Sequence, residues 1–142
     1  MTIHEKIVSG VLDLITLSDE NIIKTESFDP ETELTGKGVL TLDIAFIPAH
    51  PGAPAIPDYE INVVIRGMTY MSEDPEKRII RKMFEETVRS LSVVKPDNLQ
   101  AFFPSDSTVF VMFPTGEAKI EEGISEFIFA LNYKIIVENL LF

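Results

Sequence analysis

Apolar residues recur along this chain at two different periods, and the switches between the two mark out its elements. From Asp74 to Ser92 the period is helical: Ile80, Met83, Phe84, Thr87, Val88 and Leu91 fall three and four residues apart and form one stripe. Asp74 is placed to cap this helix and Pro75 suits its first turn, where a missing N–H costs nothing. Arg81–Glu85, Lys82–Glu86 and Glu85–Arg89 have the spacing of exposed ion pairs, each worth about 0.2–0.5 kcal/mol. Pro96 prevents any continuation. A first helix is expected over 2–17, with Thr2 and Glu5 spaced as a capping box and Ile7, Val11, Leu14 and Ile15 as its stripe. Gly10 weakens that helix or marks a close contact.

Elsewhere the period is two. Residues 39–47 place Leu40, Leu42, Ile44 and Phe46 on one face, and 59–70 place Tyr59, Ile61, Val63 and Ile65 likewise. Residues 126–138 form the longest alternation, with Phe127, Phe129, Leu131, Tyr133, Ile135 and Val137 together. Shorter strands are expected at 21–28 and 108–113, and 118–122 is expected to fold back on the latter as a hairpin through the turn 114–117. Residues 29–38 carry turn chemistry, and 93–106 read as an irregular link. Prolines at 48, 51, 54 and 57 repeat every third residue, the period of polyproline II, so 48–58 reads as a stiff loop projecting between two strands.

Strands joined by short links are mostly antiparallel. The expected fold is therefore α+β: one mainly antiparallel sheet of five to six strands, with two helices packed on one face. At 142 residues the chain reads as one domain that buries roughly two thirds of its unfolded surface.

Charge narrows the list of partners. The net charge is −11, and residues 1–60 hold 11 acids against 3 bases, a balance of −8. Such a chain is poorly suited to holding DNA by its phosphates. There is no cysteine, which removes disulfide and thiolate chemistry. The start, MTIHEKIVSG, does not read as a signal peptide, and no apolar run approaches the ~18 residues needed to span a bilayer.

Candidate chemistry is sparse. The two histidines, His4 and His50, have no partner at HxxxH, HExxH or carboxylate spacing. Asp29, Glu31 and Glu33 imitate the start of a calcium loop, but Leu34 stands where it needs glycine and Leu40 where it needs glutamate. The TGKG at 35–38 lacks the upstream glycine of a phosphate loop, and GISEF at 123–127 lacks the second glycine of a nucleophile elbow. No catalytic, cofactor or metal residue is assigned. Five of the 12 bases fall within the central helix, at Lys77, Arg78, Arg81, Lys82 and Arg89. They read as the outward partners of its acids, or as a basic patch meeting the acidic first sixty residues of another copy. The candidate contact residues for self-association are Pro48, His50, Pro51, Pro54, Ile56 and Pro57 of the loop, with Arg78 and Lys82 of the helix.

The order of elements, the size, and the stretches INVVIRGMTYMSEDPEKRIIRKMFEETVRSL (61–91) and EFIFALNYKIIVENL (126–140) resemble the tail terminator or tail-completion proteins of long-tailed bacteriophages and prophages. That resemblance spans most of the chain as a pattern, without a diagnostic motif. It implies a non-catalytic structural subunit that forms a ring, with a hexamer as the working count. The ring would contact other tail or head-joining proteins, without a cofactor, a membrane or tight nucleic-acid binding. The protein would be cytoplasmic during assembly and then part of the virion. The proline loop departs from the family pattern. The competing readings are a small ligand-binding or enzymatic α+β domain with scattered site residues, and an acidic adaptor that docks through the proline arm.

Overall fold

The structure, a computed structural model, describes residues 1–26, 37–53 and 55–142. Residues 29–36 of the turn expected at 29–38, the acidic run Asp29–Glu31–Glu33 and Pro54 lie outside these residues.

The elements run α1 (Ile3–Leu14), β1 (Ile22–Thr25), β2 (Gly38–Pro48), β3 (Tyr59–Tyr70), α2 (Arg78–Ser92), α3 (Pro96–Gln100), β4 (Thr108–Thr115), β5 (Ile120–Glu122) and β6 (Glu126–Glu138). They form one six-stranded, mostly antiparallel sheet of order β1-β2-β3-β6-β4, with β5 also on β6. This is the α+β fold expected. Four details differ. β1 runs parallel to β2, with Ile22 opposite Gly38, so the first link is not a hairpin. β5 pairs with β6 and not with β4, so the two short strands share one edge of β6, β4 along 132–138 and β5 along 127–129. A short third helix, α3, occupies the link expected to be irregular; Pro96 starts it, and the Asn98 side chain accepts from the Lys95 N–H at 2.8 Å. α1 ends at Leu14, where the backbone of Ile15 turns extended and donates back to Leu12.

The register explains why the described helices cover only one sheet face. Leu42, Ile65 and Leu131 stand in one cross-strand row, Ile44, Val63 and Tyr133 in the next, and Phe46, Ile61 and Ile135 in a third. Ile61, Val63, Ile65, Phe129, Leu131 and Ile135 are buried together with Ile7, Val11 and Ile15 of α1, Ile80 and Met83 of α2, and Leu99 of α3, in one core. The residues between them, among them Asp43, Arg66, Ala130 and Asn132, face outward and are exposed. Gly67 lies opposite Phe129, whose ring stands so close that a Cβ on Gly67 would overlap it. Phe84 meets the same ring edge-on at 5.4 Å between centroids, which seats α2 on the sheet. The Phe102 ring lies against Gly10 in the same way, the close contact that glycine signals in α1.

The start of α2 is built differently from the simple cap expected. Lys77 takes a left-handed backbone conformation (φ 61°) that delays the helix to Arg78, so Pro75 lies outside it. Asp74 still caps it, from three residues before the N-cap. Its Oδ1 accepts from the Ile79 N–H at 3.0 Å, and its Oδ2 accepts from the Ile80 N–H and the Thr69 hydroxyl, both at 3.0 Å. The carboxylate is almost completely buried and its bonds tie the end of β3 to the start of α2. The strained Lys77 is held by an ion pair with Glu122 and by the Phe127 ring, whose centroid is 5.2 Å from its Nζ. The expected helix pairs Arg81–Glu85, Lys82–Glu86 and Glu85–Arg89 do not form within 4 Å. Glu86 turns to the end of the α1 link and accepts from the Ser18 N–H and hydroxyl at 2.7 and 2.8 Å, which leaves Lys82 without it.

Asp74→Ala should cost about 2–4 kcal/mol, because it leaves three donors without an acceptor, two of them at buried positions. Asp74→Asn, which keeps one acceptor oxygen, should cost about half as much. Chemical denaturation of the three proteins checks this; a loss under 1 kcal/mol in the alanine variant would show that the carboxylate is not the anchor of α2.

Candidate functional site

The helices do not cover the whole sheet. α1 packs on β2, α2 on β3, β5 and β6, and α3 on the start of β4. The rest of β4 is left at an edge, with no strand beyond it among the described residues. Its first stretch is closed by a side chain. Gln100 of α3 accepts from the Val109 N–H at 3.0 Å and donates to the Ser107 carbonyl at 2.9 Å, imitating a neighbouring strand. Beyond Val109 no described residue closes the edge.

A bulge controls what this edge presents. Val109 pairs with Val137 but Val111 pairs with Ile136, so Phe110 is an extra residue. After it, Met112 stands opposite the core residue Ile135, while Val111 and Phe113 stand opposite Ile136 and Lys134 on the uncovered face. Phe110, Val111 and Phe113 are 48%, 40% and 37% exposed, a run of large apolar side chains on an open edge. Pro114, which lacks an N–H, follows at a position an edge tolerates. The centre of the uncovered face is polar: Arg66 lies 3.4 Å from Asp43, and Lys134 lies 3.2 Å from Glu60.

On the helix side of β4 lies a cleft of about 540 Å³ between α2 and the β4–β5 turn. Phe84, Val88 and Leu91 form one wall, Met112, Pro114 and Ala118 the other, and Leu131 and Tyr133 the floor. No lining side chain is charged. Burial pushes the Tyr133 phenol above its ordinary pKa and so keeps it protonated, as a donor.

The residues picked from sequence fall into two separate groups. Pro48 ends β2, His50 and Pro51 are exposed beyond it, Ile56 is exposed, and Pro57 is half-buried; Pro54 is outside the described residues. Arg78 is exposed and meets Glu76 at 2.8 Å, and Lys82 is exposed with no ion pair within 4 Å among the described residues. The loop adjoins Tyr59 at the start of β3 and the helix follows Tyr70 at its end, so the 12-residue strand separates them by about 35 Å. They cannot belong to one small patch.

The histidines do have carboxylate neighbours, brought in by the fold. His4 Nδ1 is 3.5 Å from Glu26, and His50 Nε2 is 3.3 Å from Asp58. Asp58 also accepts from the Asn139 N–H at 3.1 Å, and the Pro57 carbonyl accepts from the Leu140 N–H at 2.7 Å. The base of the proline loop is thus fastened to the chain after β6, and Phe142 meets Phe46 and Tyr59 edge-on beside it. Among the described residues no group of three His, Cys, Asp or Glu side chains could hold a metal ion, and no helix is long and apolar enough to cross a membrane. Compared with models of known families and with characterised proteins, the sequence matches none.

The anchors of the loop all lie at its base, so its outer part should be dispensable for folding. Replacing His50–Ile56 by Asn-Gly keeps the Ala49–Asp58 and Pro57–Leu140 backbone bonds and supplies a short hairpin turn. The loss should stay within about 0.5–1 kcal/mol, the range of an exposed pair such as His50–Asp58. A calorimetric loss of several times that would mean that the loop is packed structure.

Proposed function

We propose that this protein is a structural, non-catalytic subunit that works by contact with copies of itself, of the tail terminator or tail-completion type of long-tailed phages and prophages. The observation that supports this reading is the β4 edge: free backbone groups beside exposed Phe110, Val111 and Phe113 on a chain of net charge −11. An open edge with a large apolar run is a template for pairing with another chain. A copy docking there with a different surface makes a head-to-tail contact, which closes into a ring where the rotation permits. The separation of the proline loop from the α2 bases suits such an arrangement, since head-to-tail subunits use two unlike surfaces. Other tail or head-joining proteins would meet the rims, and the protein would end in the virion.

The acidity supports a channel that DNA passes without adhering. Six copies at −11 each carry a formal −66. The basic cluster does not offset this locally: Lys77 is engaged by Glu122 and Arg78 by Glu76, and Glu85 lies within a turn of Arg81, Lys82 and Arg89. A second reading, a small-molecule-binding domain, is favoured by the cleft over Tyr133.

Sedimentation velocity from micromolar to several hundred micromolar, with negative-stain images of the largest species, tests the assembly. Concentration-dependent growth to a closed ring is expected, and Val111→Lys with Phe113→Ser should keep the chain monomeric at an unchanged melting temperature. A wild type that remains monomeric throughout the range overturns the reading. A fluorescence titration with duplex DNA at moderate salt should show no binding. Micromolar affinity that falls steeply with salt and disappears in Arg78→Glu/Lys82→Glu would instead make α2 a nucleic-acid face.

A further inference from the structure

The cleft between α2 and β4 has the volume of small-molecule sites, which run from about 300 to 1,000 Å³ and combine apolar walls with a few placed polar groups. Its polar group is specific. Tyr133 is only 7% exposed, yet its hydroxyl has no hydrogen-bond partner among the described residues and is not sealed from open space. A buried phenol normally finds a partner. The other hydroxyl in the lining, Ser92, already donates to the Arg89 carbonyl at 2.7 Å. Tyr133 is therefore the one lining side chain with a hydroxyl that no protein group engages, beside walls whose side chains, Ser92 apart, are apolar.

We propose that this cleft binds a small neutral molecule with an apolar body and a single hydrogen-bond acceptor, a carbonyl or ether oxygen, which takes the Tyr133 hydroxyl. A carboxylate or phosphate is disfavoured because no cation lines the walls, and desolvating an unpaired charge costs far more than one hydrogen bond returns. A peptide segment is disfavoured for the same reason: each residue inserted brings an amide N–H and a carbonyl, and the walls supply almost nothing to satisfy them. Flat aromatic or short alkyl bodies suit the walls formed by Phe84, Val88, Met112 and Pro114. This inference is independent of the ring reading, since the cleft opens on the helix side of β4 and the Val111 and Phe113 side chains lie on the other.

The test uses a matched pair of probes, 2-acetylnaphthalene and 2-ethylnaphthalene, titrated against the full chain and followed by probe fluorescence and by chemical-shift changes in the protein. Both should bind saturably, the ketone more tightly. Tyr133→Phe, which keeps the ring, should weaken the ketone about five- to tenfold and leave the hydrocarbon unchanged. Ala118→Trp, at an exposed wall position, should abolish both without lowering the melting temperature. Equal loss of both probes in Tyr133→Phe, or unchanged binding in Ala118→Trp, overturns the proposal. So does a shift from oligomer to monomer in Ala118→Trp with no probe binding in the wild type, which would assign the cleft to a second copy of the chain.

Discussion

Everything in this molecule follows from a sheet that can bury only one of its faces. The alternation in β2, β3 and β6 puts Leu42, Ile65, Leu131 and their row neighbours on one side and Asp43, Arg66, Asn132 and Lys134 on the other. A one-residue slip in any pair would turn an entire apolar set outward, so the register is strongly specified. The helical segments must then cover the same side, and each does so with its own stripe. Where they meet the sheet, a missing side chain lets a ring approach: Gly67 under Phe129, and Gly10 beside Phe102. The buried Asp74 carboxylate completes the arrangement by fixing where the central helix leaves the sheet.

Sequence periodicity is legible where many residues repeat the same environment. The faces of 39–47, 59–70 and 126–138 could be read residue by residue, because each stretch has many positions alternating between oil and water. The start of α2 could not, because it depends on a single residue: Lys77 leaves the helical region, and the partners of its side chain, Glu122 and Phe127, lie about 45 to 50 positions away. The same limit hid the direction of β1 and the partner of β5, both four residues or fewer, whose pairing is decided by what else lies beside them. His50 and Asp58 showed no motif spacing, yet the hairpin closes them to 3.3 Å. The cleft was invisible for a stronger reason. Its lining comes from α2, the link after it, β4, the β4–β5 turn and β6, and most of those residues are ordinary core types.

The two candidate surfaces have one origin. Three helical segments are too few for this sheet, and the cover ends between α2 and α3. What remains uncovered is β4: its inner side faces the cleft and its outer side and edge face solvent. Gln100 shows how such an edge is closed when a side chain is available, by filling the backbone positions at Ser107 and Val109. Among the described residues no comparable group serves Val111 to Thr115. Elsewhere the outer face mixes apolar residues such as Val64 and Ala130 with Asp43, Arg66, Glu60 and Lys134, whereas this edge stretch carries valine and phenylalanine without a charge among them.

The Phe110 bulge decides which side chain goes to which surface. Were β4 paired with β6 without it, Val109 opposite Val137 would place Val111 opposite Ile135 and Phe113 opposite Tyr133, both on the core side, and Met112 on the outer face beside Lys134. The extra residue reverses this. Met112 and Pro114 then line the cleft, while Val111 and Phe113 turn outward with Ile136. A flexible thioether and a small ring leave room above Tyr133 that a second phenylalanine would fill. The same inserted residue therefore opens the chamber and loads the outer face with apolar surface. Both candidate functions of this protein, contact with another chain and capture of a small apolar molecule, trace to that single irregularity in an otherwise regular sheet.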